Sequence, residues 1–169
     1  VNAEGKLVSV GEEGELLTRG PYTLRGYYRA AEHNERSFTE DGFYRSGDRV
    51  VVDENGYIMV TGRIKDVVNR AGECIATDEI EEQLLAHPNV AQIAVVAVPD
   101  KHLGERIGVA LVKKGRVPTL QELRVFLQEQ GIASFKLPDE LNVVSSLPKT
   151  AVGKIDKKRV PGPDGSPWV

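Results

Sequence analysis

The sequence predicts an α+β protein in two parts, the first rich in β-structure and the second a compact mixture of strands and helices. Residues 15–48 are dense in Gly, Tyr and Arg, with short apolar pieces and no sustained helical period. A β-hairpin signal follows over residues 49–61. After Gly62, apolar runs of strand length alternate with stretches of helical period, as expected of a small α+β domain.

These signals place a domain boundary near Lys65. We expect residues 1–64 to be the β-rich end of a larger domain, and residues 65–160 to form a small domain of about 95 residues. That small domain should have a short central sheet and about three helices. The segment 161–169 is rich in Pro and Gly and is predicted to be a flexible tail.

The composition is that of a chain able to bury a core, since 40% of its 169 residues are hydrophobic and 28% are charged. A net charge of -3 gives no electrostatic reason to expect nucleic acid or an anionic membrane as a partner. The longest apolar run, Ile93–Val98, is far shorter than the roughly 20 residues that a membrane-spanning helix needs.

Cys74 is the single cysteine, which excludes an internal disulfide and predicts a reducing, cytoplasmic location. The amino terminus at Val1 has neither a starting Met nor the pattern of a signal peptide, so we expect the sequence to be cut from within a longer protein. No metal site is predicted, because the three histidines lack ligand-like spacing: His33, His87 and His102.

The sharpest local signal is the hairpin. Val50–Val52 and Tyr57–Val60 flank a turn that contains Asn55-Gly56, a pair that readily adopts the positive φ angles of a tight turn. Two strands alone are only marginally stable in water, so the hairpin is predicted to belong to a larger sheet.

A helix is predicted next, with Thr77 or Asp78 as its N-cap and Pro88 as its boundary. Its first turn carries acidic residues that favour the positive end of the helix dipole: Glu79, Glu81 and Glu82. The run Val90–Val98 is too apolar for a half-exposed strand and is predicted to lie centrally in the sheet.

The remaining elements follow in the order strand, helix, strand, short helix. Ile107–Val112 predicts a strand, and Thr119 with Glu122 has the spacing of a capping box for a helix that should end near Gly131. The last two elements are predicted at Leu141–Val144 and Lys157–Arg159.

Four stretches carry candidate chemistry, and each also has an ordinary structural interpretation. Gly14–Gly20, with the later Gly26, is also typical of a strand and a glycine turn. Asp48 follows Gly47 and could simply form a turn, although its two carboxylate oxygens also suit the vicinal hydroxyls of a ribose. The charged and glycine-rich residues 62–73 could be a solvated linker.

The fourth stretch, 147–155, places Lys154 directly after a short loop that contains Gly153. A lysine ammonium is a compact charge on a long stem and can meet a carboxylate and a phosphate oxygen at once. The pattern differs from the phosphate-binding loop Gly-x-x-x-x-Gly-Lys-Ser/Thr, and a nearby Gly and Lys also occur by chance.

In this order and at these separations, the four stretches resemble the later motifs of the adenylate-forming superfamily, which includes acyl-CoA synthetases, peptide-synthetase adenylation domains and luciferases. The resemblance runs from about Glu12 to Arg159. Further stretches look most like the aryl-acid AMP ligases, such as 2,3-dihydroxybenzoate-AMP ligase: Asn69–Glu73, Leu85–Pro88, Leu103–Arg106 and Phe135–Asp139.

The resemblance implies a large amino-terminal domain with a barrel-like β-rich subdomain, followed by a mobile AMP-binding lid. It implies a two-step reaction with ATP and Mg²⁺, in which a carboxylic acid gives acyl-AMP and a pantetheine thiol then displaces AMP. The acid would be 2,3-dihydroxybenzoate or salicylate in siderophore synthesis. The thiol would belong to an aryl or acyl carrier protein or to CoA.

By their match to the family motifs, seven positions acquire implied roles. Asp48 would hold the ribose hydroxyls, and Arg63 would approach the ribose and the phosphates. Lys154 would be the catalytic lysine of the adenylation step, and Lys65 would be the hinge of the lid. The residues expected at the thiol tunnel are Asn69, Gly72 and Glu73, where Ala71 and Cys74 depart from the usual pattern.

Other functions fit the same motifs. An acyl-CoA synthetase for fatty or other acids, or an amino-acid-activating domain, would carry them too, and a non-catalytic module that docks a carrier protein is a further alternative. The phosphate loop, the acid pocket and most Mg²⁺ contacts are expected upstream, so the chain alone should not adenylate. The basic run Lys157–Arg159 is predicted to be a solvated helix face or a weak docking surface for an acidic carrier protein.

Overall fold

The computed structural model describes residues 1–168, and the chain divides into two compact units. The first unit is Val1–Lys65, and the second begins at Asp66.

The first unit contains a three-stranded antiparallel sheet in the order β1-β2-β3. Its strands are β1 Glu13–Thr18, β2 Tyr44–Val52 and β3 Ile58–Arg63. The predicted hairpin joins β2 to β3 and is confirmed: Asp53 Oδ1 accepts the N–H groups of Asn55 and Tyr57, and Gly56 has a φ of 82°.

The first unit also contains a helix that the sequence did not predict, α1 at Ala31–Ser37. None of its residues is buried, and its N-cap Ala30 makes no side-chain cap hydrogen bond. Asn34 fixes it instead, because its amide side chain exchanges two hydrogen bonds with the backbone of Tyr27 at 2.7 and 2.9 Å. A helix without an apolar stripe leaves no periodic signal in a sequence.

The second unit is an α+β fold, as predicted, around one five-stranded sheet. Its strands are β4 Val67–Arg70, β5 Glu73–Ala76, β6 Val90–Asp100, β7 Gly104–Lys113 and β8 Glu140–Val143. The order is β5-β4-β7-β6, and β8 pairs in parallel with β7. The unit also contains helices α2 Thr77–Leu85 and α3 Leu120–Glu129, and two short 3-10 turns at Ser134–Lys136 and Lys157–Arg159.

Strand β6 lies at an edge of this sheet, not at its centre as predicted. Among residues 1–168 it pairs with β7 alone. Its unbroken apolar run arises because both faces are covered: Ile93 and Val95 enter one core cluster, while Ala94 and Val96 enter another. A continuously apolar strand therefore indicates that both of its faces are buried. It does not indicate whether the strand lies at the centre or at the edge of the sheet.

The two clusters use different parts of the chain. The first contains residues of α2 and α3, including Ile80, Leu84, Leu123 and Leu127. The second contains Leu147 and Val160, with Val144, Ile155 and Trp168 packed against it. The helices therefore cover one face of the β6–β7 pair, and the carboxyl-terminal segment covers the other.

The two predicted helix caps have different outcomes. Thr119 is the N-cap of α3 and forms the predicted capping box with Glu122. The prediction that Thr77 or Asp78 caps α2 is wrong, because Ala76 is the N-cap and makes no side-chain cap hydrogen bond. Thr77 is the first helical residue, and its hydroxyl donates to the Asp66 carbonyl at 3.1 Å.

The carboxyl-terminal segment, predicted to be a flexible tail over 161–169, makes defined contacts up to Trp168. Asn142 Nδ2 donates to the carbonyls of Pro161 and Gly162 at 2.8 and 2.9 Å, and Pro161 forms a β-bridge with Pro167. The last residue of the predicted tail, Val169, lies outside the described residues. Over those described, no helix is both long enough and apolar enough to cross a membrane.

The capping box of α3 gives a direct test of the fold. Thr119→Ala should lower the free energy of unfolding by about 1 kcal/mol, because the N–H of Glu122 loses its acceptor. Thr119→Ser, which keeps the hydroxyl, should retain most of the stability in urea unfolding. Equal unfolding midpoints for the Ala variant and the parent chain would contradict the capping role.

Candidate functional site

Asp48 and Arg63 are brought together by the register of β2 and β3. They face each other as ladder partners, and Arg63 Nε donates to Asp48 Oδ1 at 2.8 Å. The Arg63 side chain is 56% exposed and that of Asp48 is 28% exposed, so the pair lies at the surface of its unit. The arrangement presents a guanidinium and a carboxylate side by side, which suits a ligand with both hydroxyl and phosphate groups.

Tyr44 extends this cluster, although no role was predicted for it. Its hydroxyl lies 3.0 Å from that of Tyr27. The hydrogen bond with Tyr27 raises the pKa of Tyr44, and burial and the charge of Asp48 act in the same direction, while Arg63 opposes them. Simple alternation along β2 does not predict this placement, because the register of the strand shifts between Arg45 and Arg49 and Gly47 has a positive φ of 73°.

Lys65 lies between two residues whose backbones are hydrogen-bonded within their own units. Before it, the N–H of Ile64 donates to the Gly47 carbonyl at 2.9 Å. After it, the Asp66 carbonyl accepts both the N–H and the hydroxyl of Thr77, at 3.1 Å each. Lys65 itself is exposed.

Residues 69–73, part of the stretch that could also have been a solvated linker, form the tip of a β-hairpin between β4 and β5. Ala71 and Gly72 make the turn with φ angles of 50° and 93°. A positive φ is unusual for Ala, which is why the turn was not evident from the sequence. A Cβ built on Gly72 would meet no atom within 4 Å, so the tip is open.

Asn69 and Cys74 are opposite partners in this hairpin. The thiol of Cys74 lies 3.1 Å from Asn69 Oδ1 and can donate to it, and both residues are exposed. The hairpin thus collects the three residues predicted at the thiol tunnel, Asn69, Gly72 and Glu73, on one short element.

Lys154 lies on a second, smaller hairpin. Lys149 and Ile155 form a β-bridge, and the N–H of Thr150 donates to the Lys154 carbonyl at 2.7 Å. Gly153 has a φ of 83° and directly precedes the lysine. In the part of the chain that the structure describes, no hydrogen bond or ion pair holds the Lys154 ammonium, and the residue is exposed. The charge is therefore available to an incoming anion.

Lys157 anchors this segment to the core, a role that the sequence did not reveal. Its ammonium donates to Thr77 Oγ1 at 2.8 Å and pairs with Glu81 at 2.9 Å. Glu81 Oε1 also accepts the N–H of Val95 at 2.6 Å. The predicted solvated face therefore holds for Lys158 and Arg159, which are exposed, and fails for Lys157, whose side chain is 24% exposed.

Glu81 supplies the carboxylate that pairs with Lys157. Burial raises the pKa of its carboxyl, while Lys157 and the N–H of Val95 oppose the rise. Thr77 and Glu81 are four residues apart and so lie on one face of α2, where the ammonium of Lys157 contacts both.

The sequence-predicted residues thus form three local groups: the Asp48–Arg63 pair, the hairpin tip at 69–73 and the Lys154 hairpin. Within residues 1–168, no three His, Cys, Asp or Glu side chains gather in a way that would hold a metal ion.

The chain matches a known family and a set of closely similar proteins. Residues 79–154 match the family described as AMP-binding enzyme C-terminal domain. The 2,3-dihydroxybenzoate-AMP ligase of Bacillus subtilis (strain 168) is 54% identical over 151 residues, which are 89% of this chain and 28% of that protein. The salicyl-AMP ligase / salicyl-S-ArCP synthetase of Mycobacterium tuberculosis is 52% identical over 160 residues, 95% of this chain and 28% of that protein.

A solved structure also superposes on this chain. The o-succinylbenzoate CoA synthetase of Bacillus subtilis, in complex with its acyl-adenylate intermediate, superposes with a TM-score of 0.83 and 31% identity. The alignment covers 92% of this chain and 31% of that one. The chain thus spans less than a third of the length of the relatives that it matches.

Replacing Lys157 tests the anchoring contact. Lys157→Met should lower the free energy of unfolding by about 2 kcal/mol at neutral pH, because Glu81 then keeps a part-buried charge without its partner. The deficit should shrink as the pH falls, because the unpaired carboxyl of Glu81, whose pKa burial already raises, takes up a proton.

The matched control is Lys158→Met, at the exposed neighbouring position. It should change the free energy of unfolding by less than about 0.5 kcal/mol. Equal losses in the two variants, measured by urea unfolding across the pH range, would contradict the anchoring role.

Proposed function

We propose that this chain, which belongs to the adenylate-forming superfamily, is the carboxyl-terminal part of an ATP-dependent ligase that activates an aryl acid for siderophore synthesis. The observation that carries the proposal is identity above one half, 54% and 52%, to two relatives named as aryl-acid AMP ligases. Their names point to 2,3-dihydroxybenzoate and salicylate as the candidate acids. The rest of the ligase would be supplied by sequence outside this chain.

The proposed reaction has two steps. The carboxylate of the acid attacks the α-phosphate of ATP, which gives acyl-AMP and pyrophosphate. The thiolate of a pantetheine, on a carrier protein or on CoA, then attacks the acyl carbon, and AMP leaves with the bonding electrons of the broken acyl–oxygen bond. The printed name of the Mycobacterium tuberculosis relative, which includes salicyl-S-ArCP synthetase, supports a carrier-protein acceptor.

Lys154 is proposed as the catalytic residue of the first step. Its exposed ammonium is free of other partners among the described residues, and the hairpin that carries it is packed onto the core through Ile155. A cation presented this way can approach both the attacking carboxylate and the phosphate oxygens as negative charge builds up between them. The adenylation step requires both a fixed backbone and a charge that can move.

Asp48 and Arg63 are proposed to bind the nucleotide. The carboxylate of Asp48 would accept hydrogen bonds from the ribose hydroxyls, and Arg63, already held at 2.8 Å from Asp48, would face the ribose and the phosphates. The ion pair sets the orientation of the carboxylate before the ligand arrives.

Lys65 is proposed as the hinge, and Asn69, Gly72 and Glu73 as the lining of the thiol tunnel. Lys65 is suited to the role because backbone hydrogen bonds anchor Ile64 on one side and Asp66 on the other, which leaves one residue to absorb a change in φ and ψ. In the second step the open turn at Gly72 would lie close to the pantetheine.

Mg²⁺ would enter with the phosphates of ATP. The described residues hold no cluster of carboxylates fit to bind it, so we assign it no ligand in this chain. A cytoplasmic location and the lack of a nucleic-acid or membrane partner remain predictions from the single cysteine and the net charge of -3.

A CoA ligase for another acid is the second candidate. It is favoured by the structural match, at a TM-score of 0.83, to an o-succinylbenzoate CoA synthetase. Acid-dependent exchange of pyrophosphate into ATP by the intact enzyme, with 2,3-dihydroxybenzoate, salicylate, o-succinylbenzoate and fatty acids, separates the candidates. Activity confined to acids other than the two aryl acids would favour the second.

Lys154→Ala in the intact enzyme should reduce acyl-AMP formation by roughly a hundredfold or more, since a charged donor at the reacting phosphate is lost. Formation of thioester from supplied acyl-AMP should be largely spared. Lys149→Ala, on the same hairpin, is the control and should affect neither step strongly. Equal damage to both steps in a rapid-mixing assay of Lys154→Ala would refute the assignment.

The isolated 169-residue chain should not catalyse acid-dependent exchange of pyrophosphate into ATP. The acid pocket and the phosphate loop are expected in the remaining part of the ligase. Exchange above the rate without acid, in a preparation shown by mass spectrometry to contain this chain alone, would overturn the proposal.

A further inference from the structure

The hairpin β4–β5 is joined to the rest of its sheet by few backbone bonds near its tip. Its ladder with β7 has a single register pair, Arg70 with Gly104. Its buried side chains, Val68 and Ile75, lie in the half away from the turn. Strands of four residues with one ladder pair do not fix the tip by themselves, so the position of 69–73 depends on other contacts.

Arg70 supplies the strongest of these contacts. Its two terminal nitrogens bind the two carboxylate oxygens of Asp139 at 2.9 Å each. The same guanidinium donates to the carbonyls of Phe135 and Leu137 at 3.3 and 3.4 Å. Both partners of the ion pair are about four-fifths buried, with side-chain exposures of 20% and 18%. A bidentate pair of this kind fixes direction as well as distance.

Asp139 is itself locked in place. Its Oδ2 accepts the N–H of Ile107 at 2.9 Å, and its own N–H donates to the Ile107 carbonyl at 2.8 Å. Ile107 is fully buried in the middle of β7. The bidentate Arg70–Asp139 pair therefore connects the hairpin tip to a buried part of β7.

Two further bonds hold the tip from the side of β7. Glu105 Oε2 accepts the N–H of Asn69 at 2.7 Å, and the Leu103 carbonyl accepts the N–H of Ala71 at 2.7 Å. Together with the Arg70–Asp139 pair, these bonds define where Asn69, Gly72 and Glu73 lie.

We propose that Arg70 and Asp139 are positioning residues for the thioester-forming half-reaction, holding the hairpin tip at 69–73 in the geometry that receives a pantetheine thiol. The proposal rests on the proposed function, and it adds two residues that do not touch the reacting atoms. The Arg70–Asp139 pair is assigned to the second half-reaction alone. Lys154, which serves the first half-reaction, lies on a different hairpin that is held separately by Lys157.

The test uses Arg70→Lys in the intact enzyme. Lysine keeps the positive charge beside Asp139 but cannot make the two parallel hydrogen bonds, so the fold should survive while the tip loses its fixed direction. The kcat/KM for the pantetheine acceptor, measured from supplied acyl-AMP, should fall by about tenfold or more, mainly in kcat. Acid-dependent exchange of pyrophosphate into ATP should stay within about twofold of wild type.

Arg124→Gln is the matched control. Arg124 lies on α3, donates from Nε to the Pro138 carbonyl at 2.7 Å and approaches Asp139 only at 4.0 Å. The variant removes a second guanidinium beside the same carboxylate without touching the hairpin. It should leave both half-reactions within about twofold of wild type.

A double variant isolates the pair. Asp139→Asn should reproduce the defect of Arg70→Lys, and the two changes combined should cost no more than the worse of them alone, since both remove the same contact. Amide hydrogen exchange of the enzyme should show faster exchange at residues 69–74 in each variant and unchanged exchange at 149–155.

Three outcomes overturn the inference or its basis, and they are distinguishable. If wild type carries out both half-reactions but Arg70→Lys lowers them equally, or lowers neither, the positioning role is wrong and the proposed function stands. A defect of the same size in Arg124→Gln also overturns the positioning role. If wild type shows no acid-dependent exchange, the proposed function fails and the inference fails with it.

Discussion

The second unit depends on the burial of both faces of the β6–β7 pair. Ile107, Val109 and Leu111 on one face, and Ala94, Val96 and Ala110 on the other, are apolar and removed from water. Two helices cover the first face. The second is covered by Leu147, Val160 and their neighbours, which belong to the same stretch of chain that carries Lys154. The segment with the proposed catalytic charge is therefore part of the core that stabilises the unit.

Local chemistry was predictable from the sequence, and tertiary arrangement largely was not. The Asn55-Gly56 turn and the Thr119–Glu122 capping box were found because a few adjacent residues determine them. Helix α1 was missed because none of its residues is buried, so it has no apolar stripe to detect. The β4–β5 hairpin was missed because Ala71 occupies a turn position where Gly or Asn is expected.

The same division holds for the candidate site. The motifs identified Asp48, Arg63 and Lys154 one by one, but only the strand register shows that Asp48 and Arg63 are ladder partners and an ion pair. Lys157 looked like one more residue of a solvated basic run. Its contact with Glu81 joins residues far apart in the sequence, and no pattern in a single sequence encodes such a pairing.

The carboxylate of Glu81 also affects whether a strand of another molecule can pair with β6. Along the part of the chain that the structure describes, β6 has one side without a neighbouring strand, and such long apolar edges are templates on which other chains can add. Glu81 occupies the N–H of Val95 on this edge and brings the charge of Lys157 with it. An approaching strand would have to displace the Glu81 carboxylate to bond with the Val95 N–H, so a side chain of α2 works against edge-to-edge pairing at this position.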